Sequence, residues 1–297
     1  MESLIITEND SGQRLNKFLE KVFPSLPKAM MYKSIRKKNI KINRKRCDAK
    51  DILLAGDVVD IYINDKFLSK PADKNKFALF DKDLSIVYED DNMIVVNKPV
   101  GLKSQPDYVG EDNLIDRING YLIKNGKFDY RLEKSFRPSL CNRLDRNTDG
   151  LVIAAKNFKT LQEINRLIRE RKIIKIYSCV VEGNFCNDHD LLVGWWSKDK
   201  KNNKVKISSE KRDGSKKVIT EYVVLQRFKY TTKLKIILHT GRSHQIRAHL
   251  ASIGHPIVGD GKYGSSIKGT QRLTSCGLIF KSSDSSLKYM NDRTITL

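Results

Sequence analysis

The segment that most constrains the fold of this chain runs from 141 to 154, with the sequence C-N-R-L-D-R-N-T-D-G-L-V-I-A. Charged residues around Asp145 lead into a turn that ends at Gly150, and a short apolar, β-branched run follows. Such a run, begun by a glycine turn, is typical of a buried strand. We therefore expect Asp145 on a loop that enters the core, ionised and held between Arg143 and Arg146. The alternative is an ordinary aspartate that caps a turn, since aspartate is common in turns.

Composition indicates a globular protein with a polyanionic partner. The chain has 297 residues, 39% of them hydrophobic, which is enough for two domains and a sizeable core. Its formal net charge is +21, from 56 Lys and Arg against 35 Asp and Glu. An excess of this size favours nucleic acid over a membrane as partner. The alternative is an unrelated soluble protein whose lysines reflect codon bias.

Cysteine and histidine usage gives no sign of a disulfide framework or a metal site. The five cysteines are scattered without a C-x-x-C pair. His239, His244, His249 and His255 share no single helical face, and no cysteine or carboxylate completes a ligand set. The start of the chain lacks the basic and apolar regions of a signal peptide, and no apolar run reaches membrane-spanning length. We expect a reduced, cytoplasmic protein without a membrane partner, metal or cofactor.

Residues 11–65 form the first predicted domain. Apolar residues at helical spacing predict a helix over 15–22, and a second helix is predicted at 28–38. A short strand, a turn at Asn43-Arg44 and a strand over 58–63 follow. Residues 66–83 are polar, lack periodicity and are interpreted as a linker.

Basic side chains are dense on the second helix of this domain and on the turn that follows. Exposed cations on one face provide the non-specific phosphate contacts that nucleic-acid binding needs. The alternative is a solvated helix face. The candidate RNA-binding residues here are Lys33, Arg36, Lys37, Lys38, Arg44 and Lys45.

Residues 84–297 form the second predicted domain. Strands predominate over helices in its pattern, which indicates an α+β domain with a mainly antiparallel mixed sheet flanked by helices. Helices are predicted at 112–124 and 158–171, and 184–217 is interpreted as a polar hairpin region. Another helix is predicted up to Gly254, capped by Ser243 or Thr240.

The first domain resembles the alpha-L RNA-binding module of a small-subunit ribosomal protein and of many RNA-modifying enzymes. The matching residues are R-L-N-K-F-L, then I-R-K-K-N-I-K-I-N-R-K, then L-A-G-D-V-V. The resemblance implies a small α+β RNA-binding domain. Lys28 departs from the small hydroxyl residue that this family usually has before the second helix, so the cap of that helix is in question.

The second domain resembles the RluA-type pseudouridine synthases, including the RluC and RluD ribosomal large subunit enzymes. Four segments carry the resemblance, in the same order: V-V-N-K-P-V-G-L at 95–102, N-R-L-D-R-N-T-D-G-L-V-I at 142–153, R-K-I-I-K-I-Y at 171–177, and T-G-R-S-H-Q-I-R-A-H-L-A-S-I-G-H-P-I-V-G-D at 240–260. The resemblance implies the pseudouridine synthase fold. It also implies a reaction in which uridine in RNA is detached from its sugar at nitrogen one, turned and rejoined through carbon five, without cofactor or metal.

The resemblance also implies roles for particular residues. Asp145 matches the essential aspartate, and three actions remain open for it: addition to the base, addition to the sugar, or proton removal that forms a glycal. Tyr177, which β-propensity alone would make a core aromatic, matches a tyrosine that stacks on the uracil and serves in proton transfer. Arg247 matches the arginine that pairs with the aspartate. Arg143 matches the arginine that fills the stack when the target base leaves, and Arg242 is a further RNA contact.

Two positions depart from the family pattern. Asn142 stands where the family usually has histidine, and we expect a changed hydrogen bond with activity retained. Asp149 stands where serine is frequent, and we expect its carboxylate to point away from the site. The predicted substrate is ribosomal RNA of the large subunit, with transfer RNA as the alternative. A non-catalytic ribosome-assembly protein and a DNA-binding protein are the competing classes. We expect a monomer.

Overall fold

The computed structural model describes residues 1–68, 82–129, 132–199 and 204–297. Its helices are α1 (Leu15–Val22), α2 (Lys28–Arg36), α3 (Leu114–Lys124), α4 (Phe158–Arg169) and α5 (Gln245–Ser252). Its strands are β1 (Glu2–Ile5), β2 (Ile40–Ile42), β3 (Lys45–Arg46), β4 (Val58–Ile61), β5 (Ser85–Glu89), β6 (Met93–Lys98), β7 (Ser139–Leu140), β8 (Asp149–Ala155), β9 (Ile173–Glu182), β10 (His189–Asp199), β11 (Lys204–Ser208), β12 (Lys216–Arg227), β13 (Thr231–Leu238), β14 (Leu273–Phe280) and β15 (Thr294–Thr296). No helix of these described ranges is long and apolar enough to cross a membrane.

The chain forms two compact units. The first comprises Met1–Asp83, Ile115–Ser139 and Ala155–Leu161, and the second comprises Leu84–Leu114, Leu140–Ala154 and Gln162–Leu297. The first unit thus includes two segments that the sequence analysis assigned to the domain at 84–297. Most of the predicted linker, 69–81, lies outside the described residues. The boundaries at 11–65, 66–83 and 84–297 stay a prediction.

The first unit packs α1 and α2 on a four-stranded sheet with the order β1-β4-β2-β3. The predicted first helix is confirmed: Leu15, Phe18, Leu19 and Val22 are buried along one side of α1, as its apolar spacing requires. The helix α2 begins at Lys28 after Pro27 without a side-chain cap. Proline tolerates this place because the first turn of a helix leaves its N–H groups unbonded.

The predicted turn between β2 and β3 is also confirmed. Asn43 and Arg44 have φ angles of 51° and 63°, which place both residues in the left-handed region that a two-residue hairpin turn needs. The Asn43 side chain supports the turn, because its Oδ1 accepts a hydrogen bond from the Val58 N–H at 2.8 Å. The basic side chain of Arg44 is therefore presented at an exposed and well-defined corner.

The buried Asp10 explains why residues 115–139 join the first unit. Its Oδ1 atom accepts hydrogen bonds from the backbone N–H groups of Ser135 at 2.7 Å and Phe136 at 3.1 Å. Its Oδ2 atom accepts a further one from the Lys134 N–H at 2.8 Å. A buried carboxylate needs such donors, and these donors come from a segment that is remote in sequence.

The second unit is built on a large mixed sheet, which confirms the predicted fold class. Its main path has the order β11-β10-β12-β13-β9-β14-β8-β6-β5 in the described part of the chain. From β10 through β12, β13 and β9 to β14 each strand runs antiparallel to the next, as β5 does to β6, whereas β14 runs parallel to β8. Apolar residues of β6, β8, α4 and β14 form a buried core, among them Val95, Ile153, Leu167 and Phe280.

The interpretation of 184–217 as a polar hairpin region is confirmed. This region contains β10, a strand of 11 residues, and β11, which pair antiparallel with each other, and β10 pairs with β12 on its other side. The strands β1 and β14 were not predicted, because their partners β4, β8 and β9 are distant in sequence. The short strand β15, which pairs with β14, was not predicted either.

Gly150 allows β8 and β14 to come together at the start of β8. Its φ angle is 113°, and a side chain there would approach the Ser275 backbone nitrogen to 2.6 Å and the Ser275 carbonyl oxygen still more closely. Ser275 pairs with Gly150 on one side and with Tyr177 on the other. A residue without a side chain is therefore required where the loop bearing Asp145 enters the sheet.

We expect Gly150→Ala to lower the free energy of unfolding by about 3 kcal/mol, because backbone strain and a clash with Ser275 add together. Gly214→Ala is the matched control: its φ is 70°, but no atom lies within 4 Å of the added methyl group, so a loss of about 1 kcal/mol is expected. Urea denaturation followed by circular dichroism measures both. Equal losses in the two variants would contradict the close approach of β14.

Candidate active site

The loop that precedes β8 is fastened to this strand by Asn142. The Oδ1 atom of Asn142 accepts a hydrogen bond from the Ile153 N–H at 2.8 Å, and its Nδ2 donates to the Leu151 carbonyl at 3.3 Å. An amide offers both a donor and an acceptor, so this one side chain bonds to β8 as a pair of backbone groups of a neighbouring strand would. Asn142 therefore holds the loop against β8 at the position where the RluA-type enzymes usually have histidine.

A buried lysine supports the same loop. The side chain of Lys98 is inaccessible to solvent. Its ammonium group donates to the carbonyls of Pro99 at 2.9 Å, Leu102 at 2.7 Å and Arg146 at 3.2 Å. Burial lowers the pKa of Lys98 to about 8, although the charges of Asp149 and Asp145 act in the opposite direction. Lys98 thus joins the segment after β6 to the loop that carries Asp145.

Two further contacts fix the backbone on both sides of Asp145. The Ser104 hydroxyl donates to the Leu144 carbonyl at 2.8 Å and accepts from the Leu144 N–H at 3.1 Å. The Gly101 N–H donates to the Arg146 carbonyl at 2.9 Å. Because the backbone groups before and after Asp145 are both hydrogen-bonded, the backbone position of Asp145 is set by the fold.

Arg247 on α5 joins two carboxylates. Its Nη1 donates to the Oδ2 of Asp145 at 2.8 Å, whereas its Nε and Nη2 donate to the two oxygens of Asp260 at 2.6 and 2.8 Å. The side chain of Asp260 is 1% exposed and that of Asp145 is 30% exposed. Asp260 therefore holds the guanidinium group in place with a bidentate pair, and Asp145 is the partner that faces solvent.

The electrostatics of this group follow from its burial. Burial alone would lower the pKa of Arg247, but the hydrogen bonds and charges of Asp260 and Asp145 outweigh it and raise this pKa above its ordinary value. The guanidinium group is therefore permanently charged. Two carboxylates share one cation, so the ionised group carries one surplus negative charge, and this charge is available at the accessible Asp145.

Tyr177 lies on β9 beside Asp145 and is 6% exposed. Burial raises the pKa of Tyr177 to about 12. A hydrogen bond with Ser275 acts in the opposite direction, and the charge of Asp145 acts in the same direction as burial. The phenol is therefore neutral at physiological pH. It offers an aromatic face and a hydroxyl that can donate, but it is a weak base.

Asp149 is turned away from this site. Its Oδ1 accepts a hydrogen bond from the Thr274 hydroxyl at 2.9 Å, across the parallel pair of β8 and β14. The cleft is lined by Asp145 and Thr148 but not by Asp149 among the described residues. The geometry agrees with the expectation that the second carboxylate of this loop does not face the reacting group.

The helix α5 begins differently from the prediction. Neither Ser243 nor Thr240 caps it; the residue before its first turn is His244, with φ at 53° and no side-chain cap bond. Gln245 anchors this end, because its Oε1 accepts from the Thr240 hydroxyl at 2.9 Å and from the Arg242 N–H at 3.1 Å. The left-handed turn at His244 directs its ring toward Asp145, with Nε2 at 3.6 Å from Oδ2.

A cleft of about 980 Å³ contains Asp145, Tyr177 and Arg247. Arg143 and Arg242 line it as well, and both are exposed. Lys175, two residues before Tyr177 on the same face of β9, is a further cation in this cleft. Burial lowers the pKa of Lys175 and no neighbouring charge offsets this effect, so Lys175 lacks a counter-ion among the described residues.

The other candidate RNA-binding residues belong to the first unit. They share full exposure at the end of α2, in the turn after it and at the start of β3: Lys33, Arg36, Lys37, Lys38, Arg44 and Lys45. The described ranges contain no ion pair for any of them. They therefore form a surface of uncompensated positive charge, as phosphate binding requires.

The sequence analysis left His239, His244, His249 and His255 without a complete ligand set. No group of three or more His, Cys, Asp or Glu residues in the described ranges could hold a metal ion. Each of the four has another contact, such as that of His249 with the Thr220 hydroxyl at 2.9 Å.

Comparison with known proteins decides the family. A family model described as RNA pseudouridylate synthase matches residues 92–252. The chain is 34% identical to an uncharacterized RNA pseudouridine synthase of Mycoplasma capricolum, over 99% of this chain and 97% of the relative. The chain belongs to the RNA pseudouridylate synthase family. It is an enzyme that isomerises uridine in RNA to pseudouridine, and the RluA-type resemblance is confirmed.

Other relatives and solved structures agree. The enzyme is 31% identical to ribosomal large subunit pseudouridine synthase D of Buchnera aphidicola, over 86% of this chain and 76% of the relative. It is 32% identical to ribosomal large subunit pseudouridine synthase C of Rickettsia bellii, over 88% and 86%. The structure of human RNA pseudouridylate synthase domain containing 1 has the same fold, with a TM-score of 0.54 and 22% identity over 72% of this chain and 82% of that one.

The site of this synthase unites three residues that the sequence analysis selected and adds three that it did not. Asp145, Tyr177 and Arg247 come from three distant segments and line one cleft. The sequence analysis missed the contacts of Asp260, His244 and Lys98. The signal was present, since all three lie in the segments that carried the family resemblance, but their partners became visible only in the fold.

We expect the free energy of unfolding of the synthase to depend on pH because the ammonium group of Lys98 is buried. The unfolded chain keeps this proton up to about pH 10.5, whereas the folded protein releases it near pH 8. Between these values the folded state binds fewer protons, so stability rises with pH; below about pH 8 both states are charged and the burial penalty is fully present. Between pH 8 and pH 10 the unfolding free energy of the wild type should therefore rise by on the order of 2 kcal/mol relative to that of Lys98→Met.

Urea unfolding at pH 7, 8, 9 and 10 measures this difference. Lys233→Met, at an exposed lysine of β13, is the control and should differ from the wild type by the same amount at each pH. A pH-independent difference for Lys98→Met would contradict the assignment.

Proposed function

We propose that this synthase modifies uridines of large-subunit ribosomal RNA, with Asp145 as the catalytic carboxylate. The observation that carries the proposal is the position of Asp145 in the cleft, with Arg247 Nη1 at 2.8 Å and Tyr177 beside it. Both neighbours act on a carboxylate in a definite way. Arg247 orients it through a charge-assisted hydrogen bond, and the aromatic ring of Tyr177 provides a surface for a base.

The target uridine must leave its stack before it reaches Asp145. Base extrusion costs a few kcal/mol and is compensated by contacts in the pocket. The exposed Arg143, at the rim of the cleft with Nη1 3.3 Å from Gln105 Oε1, is suited to fill the gap, because a guanidinium group stacks while it remains charged. Arg242 and the free ammonium group of Lys175 are suited to hold the phosphates near the extruded nucleotide.

The bond changes then fall to Asp145 and Tyr177. An ionised carboxylate can add to the substrate or remove a proton from the sugar, which releases the base from the bond at nitrogen one. The detached uracil turns against the ring of Tyr177, and its carbon five forms the new bond to the sugar while Asp145 is released from its adduct or returns the proton that it removed. Carbon five then loses its hydrogen as a proton to solvent, and nitrogen one, which left with the electron pair of the broken bond, takes up a proton. The neutral phenol supports the uracil by stacking and can donate a hydrogen bond to it.

Two observations favour ribosomal RNA of the large subunit over transfer RNA. Several relatives that span most of the chain are ribosomal large subunit pseudouridine synthases. The exposed cations of the first unit, which resembles an alpha-L RNA-binding module, fit a large structured RNA. We further propose that the enzyme acts in the cytoplasm, as a monomer.

We expect Asp145→Asn to reduce turnover by on the order of a thousandfold or more and to leave RNA affinity nearly unchanged. The reason is that the amide has the shape of the carboxylate without its charge. The measurement is tritium release from large-subunit RNA labelled at carbon five of uridine, with affinity from filter binding at stated salt. Asp149→Ser is the matched control in the same loop and should retain the turnover and pH profile of the wild type.

A strain without the gene tests the substrate. Pseudouridines absent from its large-subunit RNA should return with the wild-type gene and not with Asp145→Asn. If the missing pseudouridines lie in transfer RNA, the ribosomal proposal fails. If Asp145→Asn restores them, the catalytic role of Asp145 fails.

We expect Lys175→Gln to raise the KM for RNA by about three- to tenfold with little change in kcat, because a phosphate contact is lost. The slope of log affinity against log salt should become less steep by about one unit. Lys175→Arg should retain both values. Lys233→Gln is the control and should change neither the KM nor the salt slope. Lys233 is exposed and pairs with Val180 of β9, which places it on the face of the sheet opposite to Lys175.

A further inference from the structure

The two oxygens of Asp145 have different surroundings. Oδ2 accepts a hydrogen bond from Arg247 Nη1 at 2.8 Å and faces His244 Nε2 at 3.6 Å. No described residue donates a hydrogen bond to Oδ1. Oδ2 is therefore hydrogen-bonded to Arg247 and has His244 Nε2 close by, just beyond hydrogen-bond distance, whereas the lone pairs of Oδ1 are open to whatever enters the cleft.

The protonation of His244 follows from its second contact. Its Nδ1 lies 2.8 Å from the Tyr263 hydroxyl. The oxygen of this hydroxyl already accepts the Val205 N–H at 3.1 Å, so its own hydrogen is free to be donated to Nδ1. Nδ1 is then the acceptor, and in a neutral ring the proton belongs to Nε2. The hydrogen-bond pattern thus assigns to Nε2 an N–H group that points toward Asp145.

The backbone holds His244 in this direction at a cost. Its φ angle of 53° is unusual for a residue with a side chain. The next residue, Gln245, is buried and bonded to Thr240, Ile219 and Thr220, which fixes the turn. Strained residues of this kind are found where function requires a particular side-chain direction.

From this geometry, and on the basis of the proposed role of Asp145, we propose that His244 is a positioning residue for catalysis. Its Nε2–H group and Arg247 together hold Oδ2, so that Oδ1 is the atom of Asp145 that reacts with the substrate. Tyr263 supports this arrangement because its hydroxyl fixes the ring tautomer that donates from Nε2.

Burial is the main cause that keeps His244 neutral in this role. The groups that face it are Asp145 from the loop before β8, Arg247 from α5, and Asp260, Lys262 and Tyr263 from the segment after α5. Burial lowers the pKa of His244, and Arg247 and Lys262 act in the same direction, whereas Asp145 and Asp260 oppose them. The ring is therefore a neutral donor at physiological pH and does not add a second positive charge beside Arg247.

Two substitutions separate the two ring nitrogens. The amide of His244→Asn lies near the position of Nδ1, tolerates the left-handed backbone and retains the Tyr263 contact, but nothing replaces Nε2. The amide of His244→Gln reaches the position of Nε2 and can donate to Asp145. Tyr263→Phe keeps the ring and removes the hydroxyl.

The test measures kcat, KM and the pH profile by tritium release from large-subunit RNA labelled at carbon five of uridine. We expect His244→Asn to lower kcat by about tenfold or more with KM nearly unchanged, and to move the acid limb of the kcat profile to higher pH. His244→Gln should stay within about threefold of the wild type, and Tyr263→Phe should fall between them.

The outcomes distinguish this inference from the proposed function. If His244→Asn has the kcat and acid limb of the wild type, or if His244→Gln loses as much as His244→Asn, the role of Nε2 is overturned. A wild-type profile for Tyr263→Phe overturns the role of Tyr263. Wild-type enzyme and Asp145→Asn are assayed alongside: an inactive wild type on this RNA, or an active Asp145→Asn, overturns the proposed function instead.

Discussion

The structure of the active site depends on one buried guanidinium group with two carboxylate partners. A buried charge is tolerated only when opposite charges and hydrogen bonds replace its water, and Arg247 obtains both from Asp260. The inaccessible Asp260 forms a bidentate pair that needs no substrate to complete it. The third donor nitrogen of Arg247 is thereby aimed at Asp145, which retains access to solvent. One carboxylate has a structural role and the other is free for chemistry.

The sheet brings the parts of this site together. Tyr177 and Asp145 are 32 residues apart in sequence. They come together because β14 pairs with β9 at Tyr177 and with β8 just after the loop of Asp145. Ser275 of β14 lies between both strands, and Gly150 makes this approach sterically possible. The same loop is bonded to the segment after β6 through Lys98, Gly101 and Ser104. The carboxylate is thus held by rigid elements on several sides, as catalysis by orientation requires.

Positive charge serves this synthase in two different ways. In the cleft, each cation has a definite place: Arg247 is fully paired, whereas Arg143, Arg242 and Lys175 have no carboxylate partner among the described residues. In the first unit the cations are numerous, exposed and interchangeable. Arrays of the second kind are suited to phosphate contacts with little sequence preference, and separately placed groups like those in the cleft are suited to contacts with one nucleotide.

The sequence by itself determined the local elements and the choice of the candidate site residues. Apolar periodicity was sufficient for α1 and turn residues for the turn at Asn43-Arg44, because neighbouring residues alone decide these structures. Motif resemblance was sufficient to select Asp145, Tyr177 and Arg247. The tertiary structure alone decided β1 and β14, whose pairing partners are distant in sequence, and the contacts of Asp260, His244 and Lys98. A lysine is buried at position 98 only because three carbonyls from two separate loops converge on it, and no local pattern specifies such a convergence.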